Sequence, residues 1–148
     1  MGLAFEMNDR YGNVSYLGRG EHETYTDRKQ SGKIDIYNTT VERMFHYYVK
    51  PQATGNRTDV RWMKLADEAN NGLFVSRPFQ FSISPFSDEN IEKATHINEL
   101  ERNGKVTVHL DAGQSGVGTA TCGPGVLPQY LVPVQKHTFE FMIRPLAK

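Results

Sequence analysis

Apolar and polar residues alternate with period two over several parts of the chain, the spacing of half-buried β-strands. The clearest run is Phe79, Phe81 and Ile83 against Gln80, Ser82 and Ser84, closed by Pro85. Val106-Thr-Val-His-Leu110 repeats the pattern, and His137–Arg144 does so with Phe139, Phe141 and Ile143. Leu3–Met7 and Asn13–Leu17 flank Asp9-Arg-Tyr-Gly12, which predicts an N-terminal hairpin. Ile34–Tyr37 and Val41–Val49 are β-branched and aromatic and read as strand or extended chain; a short helix over Met44–Tyr48 would have to stop at Lys50-Pro51.

Gly55-Asn56 predicts a turn and Arg57–Leu65 a strand, with Val60 and Trp62 on one face and Asp59, Arg61 and Met63 on the other. Arg57 and Arg61 then flank Asp59 as an ion-pair ladder, and Trp62 reads as core. Asp67–Gly72 turns the chain back into Leu73–Val75. Asn103-Gly104 is a type I′ hairpin signal between His96–Glu101 and Lys105–Leu110. Helical chemistry is concentrated after Ser87, an N-cap followed by Asp88 and Glu89, with Ile91 and Ala94 as the apolar face. Short strands, Gly/Asn/Pro turns and one short helix near 88–94 predict an all-β antiparallel sandwich in a single domain over 1–148.

Lys+Arg and Asp+Glu are both 17, a balance that argues against nucleic acid or an anionic membrane as partner. No stretch has the length and hydropathy of a membrane span, and Cys122 alone cannot form an internal disulfide. These features fit a cytoplasmic protein. The histidines at 22, 46, 96, 109 and 137 show no spacing for a metal site or an acid–base pair. Glu23 and Asp27 could be imagined as an acid and base, but a polar loop does not by itself hold two carboxylates at a fixed separation. They are expected to pair with arginines and to fix the loop.

The stretch from Asp111 to Tyr130 fits no regular element: glycines stand at 113, 116, 118, 123 and 125, and prolines at 124 and 128. Its composition alone allows either a surface connection with tight turns or a functional loop. Gln114-Ser-Gly-Val-Gly-Thr-Ala-Thr-Cys122-Gly-Pro resembles a segment of the last, all-β domain of bacterial β-galactosidases of glycoside hydrolase family 2. Gly18-Arg-Gly-Glu-His-Glu-Thr-Tyr-Thr-Asp-Arg-Lys29 resembles another, with Glu21 where proline is usual. Pro51-Gln-Ala-Thr-Gly-Asn-Arg-Thr-Asp-Val-Arg-Trp62 resembles a third, with Ala53 in place of glutamate.

The resemblance implies a supersandwich similar to galactose mutarotase, of which this chain is the C-terminal portion. It implies a loop at the mouth of the active site, with Gln114, Thr121 and Cys122 at the border of the subsite for the sugar's leaving group. The implied partners are the catalytic barrel domain or large subunit, a galactoside such as lactose, and further copies of the chain along uncovered strands. The catalytic glutamates of that family lie in a (β/α)₈ barrel of about 250 residues, for which this chain has no room. No cofactor is expected in the chain; magnesium and sodium belong to other domains of full-length relatives. Two other classes compete: a free-standing carbohydrate-binding module and a mutarotase-like enzyme.

Overall fold

The computed structural model describes residues 1–118 and 123–146. Seven strands account for most of the regular structure: β1 (Gly2–Asn8), β2 (Asn13–Arg19), β3 (Ile34–Thr40), β4 (Arg57–Ala66), β5 (Gly72–Ser84), β6 (Lys105–Asp111) and β7 (Met142–Leu146). Two short helices, α1 (Val41–Met44) and α2 (Asp88–Lys93), interrupt them. All strand pairs are antiparallel, in the order β1-β6-β5-β4-β2-β3 with β7 also on β5. The expected antiparallel all-β class is the class observed.

Strand β5 is the organising element. Its Gly72–Ser76 half pairs with β7 and its Gln80–Ser84 half with β6, while β4 runs along the other edge. Arg77 separates the halves with φ of 95°, and Pro78 next to it has no N–H to give a ladder. Val75, Phe81, Ile83, Val108 and Leu110 are fully buried on one sheet face, with Tyr16 and Val60. Tyr16 and Phe81 touch at 5.3 Å although β4 lies between their strands, so this face is concave. The link from Asn8 to Asn13 agrees. It joins strands four ladder steps apart, about 19 Å on a flat sheet, with a reach of at most about 18 Å. The sheet curls to bring them closer, and Val41 and Met44 of α1 pack into the same core.

Several expectations are corrected. Leu3–Met7 and Asn13–Leu17 form no hairpin: β1 pairs with β6, and β2 lies between β3 and β4. Val41 begins a helix instead of a strand because the Thr40 side chain caps it, accepting from Arg43 N. His96–Glu101 holds a 3₁₀ turn at Ile97–Glu99 and no strand. Gly104 has the positive φ of 76° but Asn103 does not, so the turn leads into β6 without closing a hairpin. The last strand starts at Met142, and Phe139 lies outside it, 42% exposed.

The largest correction is in β4. Asp59 adopts φ of 54° and the β4–β5 register shifts on both sides of Val60. The extra residue reverses the parity beyond it. Met63 and Leu65 are buried with Val60, whereas Trp62 is half-buried on the opposite face, stacked on Phe74 at 6.1 Å. The ladder of Arg57, Asp59 and Arg61 does not form: Asp59 pairs with Arg19 and Lys29, and Arg61 is exposed. Helix α2 is as expected. The Ser87 hydroxyl accepts from Asn90 N at 3.2 Å, and Ile91 packs with Phe45 and Phe86.

Candidate functional site

Beyond β6 the chain enters the glycine-rich loop, whose described part is pinned from below by one tight turn. Tyr25 and Arg28 exchange two backbone hydrogen bonds, 3.1 and 2.9 Å, which leaves Thr26 and Asp27 at the tip. The Thr26 hydroxyl donates to the Gln114 carbonyl at 3.0 Å. The Asp27 carboxylate accepts Val117 N–H at 3.0 Å on Oδ1 and Gly118 N–H at 2.8 Å on Oδ2. Two backbone donors satisfy a carboxylate without any cation.

Glycine is required where these groups meet. A Cβ on Gly116 would lie 2.4 Å from the Asp27 carboxyl carbon, and Gly118 has φ of 64°. The loop is also tied to the segment that returns from it: Gly116 N–H donates to the Tyr130 carbonyl at 2.8 Å and Val132 N–H to the Ser115 hydroxyl at 3.0 Å.

The turn rests on a buried polar floor. Burial opposes ionisation of Glu23, but hydrogen bonds from Thr54, Tyr48, Gly55 N–H and Tyr25 outweigh it and lower its carboxyl to about 2. Thr54 lies at 2.7 Å and Gly55 N at 2.9 Å; the Tyr48 hydroxyl donates to the other oxygen. Burial first, then the neighbouring Glu23 charge, pushes the Tyr25 hydroxyl well above the ordinary tyrosine range. Next to them Arg57, 3% exposed, donates to the Tyr16 hydroxyl at 2.9 Å and to the Gly55 and Glu21 carbonyls, each at 2.9 Å. A buried guanidinium surrounded by acceptors crosslinks three segments and has no exposed face for chemistry.

Gln114 lines a cavity of about 350 Å³ together with Thr26, Gln129, Tyr130, His137 and Phe139. Its Oε1 is buried and has no hydrogen-bond partner among the described residues. Thr121 and Cys122 lie outside the described residues. The structure therefore places Gln114 at the loop's docked base, next to a cavity with aromatic and amide walls. Among the carboxylates weighed from sequence, Glu23 does meet an arginine, Arg28 at 3.5 Å. Asp27 instead fixes the loop through backbone amides. Thr26 is the site residue missed by sequence reasoning, and for Asp27 the expected arginine partner is replaced by the Val117 and Gly118 amides.

The histidines are dispersed: His22 bonds Ser31, His109 bonds Asp88 and His137 the Pro133 carbonyl. Among the described residues no three metal-ligating side chains cluster, and no helix is long and apolar enough to cross a membrane.

Residues 1–143 match the family model described as beta galactosidase small chain. The chain is 34% identical over 145 residues to a beta-galactosidase of Kluyveromyces lactis, covering 95% of this chain and 14% of that protein. It is 34% identical over 142 residues to one from Actinobacillus pleuropneumoniae, covering 95% and 14%. A third, from Streptococcus thermophilus, is 34% identical over 150 residues, covering 98% and 15%. The chain thus spans about one-seventh of the length of these curated relatives.

Proposed function

The chain belongs to the beta-galactosidase small chain family, and from that premise we propose that it serves as the C-terminal part of an enzyme hydrolysing terminal β-galactosides. In this reading it supplies no catalytic group. It supplies the loop that borders the subsite for the leaving group, with Gln114 at the docked base and Thr121 and Cys122 as the other residues of that border. The observation that carries the reading is the seating of the loop. Two carboxylate–amide bonds from Asp27, one Thr26 bond and a glycine at the contact fix residues 114–118. A preset loop discriminates between leaving groups without paying an ordering cost at each binding event.

Among the described residues the Gln114 acceptor has no donor, and sugar hydroxyls are donors. Cys122 acts as a small apolar wall, not as a nucleophile. The reaction needs a pair of carboxyl groups on either side of the glycosidic bond, and these belong to the barrel domain or large subunit. No cofactor is assigned to this chain.

The test is Cys122→Trp in the assembled enzyme. KM changes unequally among galactosides with different leaving groups, while inhibition by galactose stays constant. Equal changes for every ligand, galactose included, would refute a role specific to the leaving group.

A further inference from the structure

The sheet face turned away from the core carries an ordered apolar row. Strand register sets Ile36, Leu17 and Trp62 side by side on β3, β2 and β4, and Met142 continues the row across Ser76. Phe74, one step along β5, lies nearly parallel to Trp62 at 21° and 6.1 Å. Ile36 is 56% and Met142 51% exposed at the two ends, and Leu17, Trp62 and Phe74 are half-buried between them, so the row spans five strands, about 19 Å. Single exposed apolar side chains are ordinary, but a contiguous row containing a stacked Trp–Phe pair marks a surface that something covers.

The charges beside the row indicate what covers it. Lys64 Nζ lies 5.9 Å from the Trp62 ring centroid and the Arg144 guanidinium 4.5 Å from that of Phe74. Neither forms a salt bridge among the described residues. Asp59, beside the same face, is already engaged by Arg19 and Lys29. A second copy in face-to-face contact would set cations against cations around an apolar centre, which costs affinity. The complementary surface is apolar at its centre and carries carboxylates at its rim.

We infer that this outer face of β3, β2, β4, β5 and β7 is docked by such a layer, supplied by the remainder of the beta-galactosidase polypeptide. The inference rests on the reading that the chain works within a larger enzyme, and the relatives have six-sevenths of their length available to supply the layer.

Hydroxyl-radical footprinting read at Trp62 and Met142 tests it, on the chain alone and on the assembled beta-galactosidase, with galactoside turnover measured on the same sample. Both residues oxidise readily in the chain alone and about 10-fold more slowly in the assembled enzyme, while buried Met63 is protected in both. Reversing the rim with Lys64→Glu and Arg144→Glu restores oxidation of Met142 in the assembled enzyme and leaves Met63 protected. An active assembled enzyme whose Trp62 and Met142 still oxidise freely overturns the docking and leaves the proposed function standing. A chain that neither assembles nor supports turnover overturns both. Two results in the chain alone also overturn the inference: protection that grows with concentration, which identifies a second copy, and saturable quenching of Trp62 by lactose, which identifies a sugar platform.

Discussion

A carboxylate that accepts two backbone amides fixes a loop more firmly than one paired with a flexible cation, because both donors are already rigid. Asp27→Asn keeps the volume but sets an NH₂ against an N–H, leaving one amide without an acceptor at a cost of about 1–3 kcal/mol. Hydrogen exchange at Val117 and Gly118 should quicken while the core amides of β5 stay slow; unchanged exchange at both would show the loop held by other means. Glu23 gives a pH signature. Its folded carboxyl titrates at about 2 against an ordinary 4.5, so its stabilisation is fully present above about 4.5 and is lost as pH falls toward 2. Glu23→Gln should flatten the acid limb of the stability curve over that window, as followed by thermal unfolding. These roles were only half legible. The motif marked the residues, but Asp27's partners lie 90 and 91 positions away and are backbone groups, which leave no trace in side-chain spacing. Trp62 was read as core because strict alternation holds only until a bulge, and nothing in Asp59-Val60 announces a positive φ.

Among the elements, those whose signal is local were legible and those defined by distant partners were not. The alternation in Phe79–Ile83, the Asp67–Gly72 return and the Ser87 cap depend on neighbours in sequence, and all appear as read. The first two strands were joined as a hairpin because four residues separate them, yet the curl of the sheet sends β1 to its far edge beside β6. Phe81 is fully buried beneath Tyr16 and Phe79, so Phe81→Ala should cost about 3–5 kcal/mol in denaturant unfolding. Ser87→Ala removes only the cap of a short helix and should cost about 1 kcal/mol. Equal costs for the two would mean that the Phe81 site collapses around the lost ring instead of leaving a cavity.

For the whole molecule, the fold lends the site rigidity, and the proposed enzyme lends it chemistry. The chain alone is expected to release no chromophore from a chromogenic galactoside, even when concentrated. Among the described residues its outer strands β1 and β3 pair on one side only. Light scattering over a concentration series should therefore show the isolated chain associating edge to edge. The central claim is that the loop seated on Asp27 governs the leaving group and not the galactose. The most direct measurement is the KM of the assembled beta-galactosidase carrying Asp27→Asn over galactosides that differ only in their leaving groups, with galactose as inhibitor. The account expects KM to shift unequally across the series while the galactose inhibition constant holds. A uniform shift across all substrates, matched by galactose, would contradict it.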